Sequence, residues 1–284
     1  METIDPRSLI TNLAPPVVAA GAAAPTVEVE GLDAFYGQRQ VLFDVEMRAR
    51  QGEIVVIMGG SGSGKSTLMR HLVGLDPPVR GTVRLLGQDI NTLPMEEMLA
   101  LRRKIGVAFQ GGAMFSSLSV AENIKLPMRE HTNLNDKTMD IVARMKLEVV
   151  NLSGFGDLMP SELSGGMLKR AAVARAIIMD PKLLFFDEPS AGLDPAVSSA
   201  LDDLILQLRA AMEMTIVVVT HEVQSAFKIA DRIVILDEGR VLADDTVDGL
   251  RNNPDRRIQD LLTRRAKREH LDAAEYLRRL TGEA

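Results

Sequence analysis

Cysteine is absent from the 284 residues, which excludes disulfides and thiolate-held metals. No apolar run approaches the roughly 18 residues that a membrane-spanning helix needs. The most apolar stretches, IVVIM, LLFF, TIVVV and RIVIL, are strand-length and end on polar or turn residues. A basic excess is also missing. The net charge is −6, which argues against non-specific nucleic-acid binding. No internal repeat is present. Nor does the N-terminus read as a secretory signal. Leu13 to Ala24 is Ala/Pro-rich, but Glu2 and Asp5 precede it with only Arg7 as a cation, and Pro15-Pro16 breaks any helix. Residues 1–25 are expected to form a flexible arm. What is present is 46% hydrophobic, enough for one globular domain with a sizeable core.

The most informative stretch is GGSGSGKST, Gly59 to Thr67. Gly59 and Gly64 bracket four residues ahead of Lys65 and Ser66, which is the phosphate-binding loop pattern. The apolar run Gly52 to Met58 precedes it as a buried strand, and LMRHLVGL follows as a helix. The motif requires that strand–loop–helix setting. Gly59, Gly60, Ser61, Gly62, Ser63 and Gly64 let backbone N–H groups wrap a polyphosphate, and the helix start at Lys65, Ser66 and Thr67 adds unpaired donors. Lys65 would reach the β- and γ-phosphates, and the Ser66 hydroxyl would ligate Mg²⁺.

Short alternating segments at VEVEGLDAFYG, VLFDVEMRARQ and GTVRLLGQDI suggest an antiparallel subdomain beside this loop. Apolar strands at GVAFQ, LLFFDEP, TIVVVTHE and RIVILDEG then alternate with helices, which implies a parallel sheet covered on both faces. From about 112 to 178 the pattern is mostly helical, with interruptions expected at Pro127, Gly154 and Pro160. The fold expected is therefore α/β, with a mainly parallel core, an antiparallel β subdomain and a helical subdomain. A core domain over 26–250 would be followed by a charged helical extension over 251–284.

LLFFDEP ends a buried strand on two carboxylates, Asp187 and Glu188. Ligands bind beyond the carboxyl ends of parallel strands, so both would face the nucleotide. Asp187 would hold the Mg²⁺ shell, and Glu188 would act as general base on water. In LSGGM, Ser164, Gly165 and Gly166 stand just before an Ala-rich helix. A Ser N-cap explains the serine. It does not explain two glycines, which suit a second phosphate-binding helix start.

LSGGM resembles the LSGGQ signature of ATP-binding cassette (ABC) ATPases, with Met167 in place of the usual glutamine. Other elements of that P-loop NTPase family follow in order. Tyr36 matches the aromatic that stacks on adenine. Gln110 matches the Q-loop glutamine, a ligand of Mg²⁺ and a catalytic element. Asp194 matches the D-loop aspartate, and His221 the switch histidine. The resemblance covers roughly Val27 to Asp245. It implies ATP and Mg²⁺ as cofactors and a head-to-tail dimer with a second copy of the chain. Ser164 and the Gly165 and Gly166 amides would then bind the γ-phosphate in trans. His221 would orient the attacking water together with Glu188.

The segment Gln110 to Leu134, QGGAMFSSLSVAENIKLPMREHTNL, further resembles the ATPases of Mla/MCE-type lipid transport systems. Gly111 and Asp245 depart from that group. This resemblance implies a membrane permease dimer, an MCE-domain lipid-binding protein and, in some systems, a STAS-domain subunit. The chain would work at the cytoplasmic face of a bacterial inner membrane. Met114 and Phe115 would either fill the helical core or line a socket for a permease helix. The rival readings are an importer ATPase for small polar solutes and, more remotely, a soluble ABC ATPase of DNA repair or translation. In the tail, Ile258, Leu261, Leu262 and Ala266 share a helical face. It would pack on its own domain or reach another subunit.

Overall fold

A computed structural model describes residues 25–263. The expected N-terminal arm, Pro25 apart, and the tail beyond Thr263 lie outside the described residues. Two sheets organise the chain. The first is antiparallel and pairs β1 (Val27–Tyr36), β2 (Arg39–Ala49), β4 (Arg80–Leu85) and β5 (Gln88–Asp89) in the order β2-β1-β4-β5. This is the anticipated antiparallel unit.

The second sheet carries the motifs. β9 (Arg232–Asp237), β3 (Ile54–Gly59), β8 (Thr215–Val219), β7 (Leu183–Asp187) and β6 (Ile105–Ala108) run parallel in that spatial order. β10 (Arg240–Asp245) closes one edge antiparallel to β9. The parallel strands are apolar without interruption because both faces are covered. Ile54, Val56, Leu184, Phe186, Ile216, Val218, Ile233 and Ile235 point into one core. Their neighbours Val55, Ile57, Leu183, Phe185, Val217, Val219, Val234 and Leu236 point into the other, which the antiparallel sheet and α1 (Lys65–Leu72) complete. The phase of two along each strand thus assigns adjacent residues to opposite layers.

The first core is covered by helices. α3 (Val120–His131), α4 (Asp136–Val149) and α5 (Gly165–Ala176) form the helical region, followed by α6 (Pro195–Met212) and α7 (Val223–Ile229). α2 (Met95–Arg102) lies before β6, and α8 (Val247–Arg251) and α9 (Arg256–Leu262) follow β10. Side chains set several starts. Ser119 and Glu122 form a capping box at α3, and Asn135, Ser164 and Asp194 cap α4, α5 and α6.

One expectation needs correction. Pro127 does not interrupt α3, which runs through it. Ile124 and Met128 on either side are buried in the core, and that packing offsets the hydrogen bond that proline cannot donate. The segment after RIVILDEG forms β10, an edge strand whose residues are only partly covered. Ile258 of α9 is buried in the first core, with Leu261 and Leu262 packed against it, so this part of the tail packs on its own domain. Ala266 lies outside the described residues. Among the described residues, no helix is long and apolar enough to cross a membrane.

Candidate nucleotide site

β3 ends at Gly59, where the chain has no room for a side chain. A Cβ there would lie 2.2 Å from the Leu236 carbonyl oxygen of β9 and 2.6 Å from Ser63 Oγ. The loop then turns through left-handed backbone at Gly62 (φ 75°) and Gly64 (φ 102°), the region glycine adopts freely. Gly64 is the N-cap of α1 and supplies no side-chain cap. The first-turn amides of Lys65, Ser66 and Thr67 are therefore left for an outside acceptor. Ser63 Oγ is buried without a hydrogen-bond partner. Lys65 folds back over the loop, its Nζ donating to the carbonyls of Gly59 (2.9 Å) and Gly60 (2.8 Å). Behind it, the β9–β10 turn braces the loop through a Gly239 N–H bond to the Ser63 carbonyl, 3.1 Å.

A cavity of about 1050 Å³ opens in front of the loop. Gly59 to Ser63, Lys65 and Ser66 line it from β3 and α1, together with Gln110 after β6, Glu188 after β7 and His221 after β8. The carboxyl ends of these parallel strands thus converge, as expected for a ligand site in such a sheet. Asp187 and Glu188 lie close enough to Lys65 for their charges to act on it. Burial pulls the Lys65 ammonium below the usual lysine range, while the two carboxylates oppose that shift. Burial and the neighbouring Glu188 charge push Asp187 above the ordinary aspartate range. Paired acids, a hydroxyl at Ser66 and an amide at Gln110 make a hard-oxygen donor set that fits Mg²⁺. Among the described residues, no cluster of three or more His, Cys, Asp or Glu forms a metal cage, so phosphate oxygens would have to complete such a shell.

Glu188 is held from several sides. Its backbone is left-handed (φ 46°), its N–H donates to the Val219 carbonyl at 2.8 Å, and its carbonyl accepts from Lys169 Nζ at 2.8 Å. Thr220 Oγ1 donates to Glu188 Oε2 at 3.2 Å. His221 Nδ1 lies 2.9 Å from both carboxylate oxygens. A carboxylate beside an imidazole, across a cavity from a phosphate-type loop, can take a proton from water at a phosphorus centre.

The remaining sequence candidates do not line this cavity. Tyr36 is 85% exposed at the end of β1. Ser164 caps α5 by accepting from the Met167 N–H, and Asp194 caps α6 by accepting from the Ala196 and Val197 N–H groups. A Cβ on Gly166 would lie 2.6 Å from Val197 Cγ1, and one on Gly165 would lie 3.6 Å from Leu193 Cδ2. The segments around Ser164 and Asp194 therefore pack together as a second cluster. Sequence reading missed Lys169, Thr220 and the α9 residues Arg257 and Leu261 on the cavity wall. The Leu261 periodicity was visible, but nothing local pointed it at Gly60.

Residues 42–191 match the family model described as ABC transporter. The chain is 40% identical over 236 residues to the intermembrane phospholipid transport system ATP-binding protein MlaF of Haemophilus influenzae, covering 83% of this chain and 89% of that protein. It is 38% identical to MlaF of Escherichia coli K12, over 85% and 90% of the two chains. Among solved structures, it resembles the dimeric post-hydrolysis state of the ATP-binding cassette MJ0796 bound to ADP and Pi. That match has a TM-score of 0.72 and 30% identity and covers 78% of this chain and 98% of that one. On its motifs, its fold and these relatives, the chain belongs to the ABC transporter family, as one of its ATP-hydrolysing cassettes.

Proposed function

We propose that this cassette powers a phospholipid transporter of the Mla type. It works as a head-to-tail dimer under a membrane permease dimer, at the cytoplasmic face of a bacterial inner membrane. The observation that carries the catalytic part is the convergence of Lys65, Gln110, Glu188 and His221 on one cavity. Lys65 and the first-turn amides of α1 bind the phosphates of ATP, and Tyr36 stacks on the adenine. Glu188 takes the proton from the attacking water, and His221 orients it. Ser66, Gln110 and Asp187 would hold Mg²⁺, which when bound neutralises charge on the phosphate oxygens.

Ser164, Gly165, Gly166 and Asp194 serve the partner's nucleotide. Their clustering away from their own phosphate loop supports this assignment. The lipid assignment rests on the MlaF relatives and on Phe115, which is 53% exposed just beyond Gln110, whereas Met114 packs against the core. An exposed phenyl ring in a fixed loop suits a permease helix. In this reading an MCE-domain lipid-binding protein completes the transporter across the membrane, and a STAS-domain subunit is a further partner.

The test is reconstitution of the chain with its permease in phospholipid vesicles. ATP should drive transfer of a fluorescent phospholipid. Glu188→Gln should abolish transfer and slow ATP turnover by roughly 10²–10⁴-fold. Phe115→Asp should end transfer while the isolated chain keeps its turnover. ATP-independent transfer, or none with the native chain, overturns the lipid reading.

A further inference from the structure

Lys169 lies on α5, five residues after Ser164, in a run that reads as an ordinary basic pair on a solvated helix face. It is not solvated. It is half-buried, and burial lowers its ammonium while Glu188 and Asp187 pull the other way. With two carboxylates nearby, its hydrogen bond goes instead to the backbone carbonyl of Glu188.

That carbonyl belongs to a residue in an unfavourable conformation. A left-handed backbone costs an L-residue about 1–2 kcal/mol, and such strain persists only where the surroundings over-determine it. At Glu188 the Val219 carbonyl fixes the N–H, and the carbonyl is caught by Lys169 and by the Ala191 N–H at 3.3 Å. Because Lys169 engages the backbone, both carboxylate oxygens remain for Thr220, His221 and water. The lysine therefore sets where the carboxylate stands without competing for it.

We infer that Lys169 is a positioning residue for ATP hydrolysis, holding the strained backbone of Glu188 from the helix that begins at the signature serine. This rests on the reading of Glu188 as general base. It gives α5 two attachments: Ser164 at its start, facing outward, and Lys169 on the base of its own chain. A shift of α5 when its start is engaged would reach Glu188 through one side chain.

The test compares steady-state ATP hydrolysis by the full chain carrying Lys169→Met, Lys169→Arg, Glu188→Gln or the double change Lys169→Met/Glu188→Gln. Methionine keeps the length and packing of the stem and removes the donor. Lys169→Met should lower kcat by about 10–100-fold, the usual cost of misplacing a reacting group by about 1 Å. KM and calorimetric ATP affinity should stay within about twofold. Lys169→Arg should recover most of the rate. The double variant should be no slower than Glu188→Gln alone, because Lys169 acts through that residue.

Wild-type kcat in Lys169→Met overturns the inference. So does a further loss in the double variant, or a loss of affinity equal to the loss of rate. If Lys169→Met does not fold, the inference stands or falls on Lys169→Arg, whose turnover must then stay within about tenfold of wild type. If Glu188→Gln hydrolyses at the native rate, it is the general-base reading that fails.

Discussion

Asn123 grips Phe115 as a strand partner would. Its side-chain oxygen accepts from the Phe115 N–H at 2.8 Å, and its side-chain nitrogen donates to the Phe115 carbonyl at 3.0 Å. The carbonyls of Leu118 and Ser119 lie 3.0 Å from the same nitrogen, so its two hydrogens are shared among three acceptors, and the residue is fully buried. One amide thus satisfies the backbone of the loop that presents the exposed phenyl ring. Asn123→Ala would leave the Phe115 N–H and the Leu118 carbonyl without partners, at about 1–3 kcal/mol. Urea unfolding should show that loss, while ATP affinity is unchanged. Undiminished stability would mean that the loop is not held by this residue.

Lys65 already sits over its loop, so the ammonium is in place before any phosphate arrives. Lys65→Ala should weaken ATP binding roughly 10–150-fold, equivalent to one strong charge-assisted hydrogen bond. Titration calorimetry on the monomeric chain reads this directly, and native affinity would remove the phosphate-loop assignment.

Ser164 and Lys65 belong to different clusters of the same chain. Ser164→Arg should therefore leave monomer ATP affinity within about twofold of native, yet collapse hydrolysis once chains pair, since a bulky cation would block the facing phosphate. An affinity loss as large as that of Lys65→Ala, with the fold retained, would show that the serine serves its own nucleotide.

Asp202 is buried on α6. Burial raises its carboxyl above the ordinary aspartate range, against opposing help from a Ser225 hydrogen bond and the Lys228 charge. A carboxyl raised in the folded state favours folding while protonated. That contribution is complete below the unfolded value and is lost as pH rises through the folded one. Asp202→Asn keeps the shape without the ionisation. It should flatten the loss of thermal stability expected of the native chain as pH rises from the ordinary aspartate range. Parallel melting curves for the two proteins would refute this.

Much of the architecture was readable because the chain states it locally. Gly59 to Thr67 follows an apolar run that can only be a doubly covered strand, and Asp187 and Glu188 end another. The less readable parts depend on contacts distant in sequence. Lys169 differs from a surface lysine only because β7 brings Glu188 beneath α5. Leu261 reaches the cavity wall only because Ile258 is drawn into the core. The β10 sequence RVLADD is too polar for a central strand and is ordered by pairing with β9. Pro127 lies inside a helix because its neighbours are buried strongly enough to outweigh the missing donor.

The φ of 46° at Glu188 also separates folding from chemistry. A glycine there would be free of the left-handed penalty of about 1–2 kcal/mol. It would lose about 0.5–1 kcal/mol through the greater freedom of the unfolded chain. The backbone gain that remains, about 0.5–1 kcal/mol, is of the size of the carboxylate's lost hydrogen bond from Thr220, so Glu188→Gly would cost the chain little in stability while removing the carboxylate. Position 188 is thus one where melting temperature is blind to function: a screen for folded, nucleotide-binding protein would pass a cassette that cannot turn over.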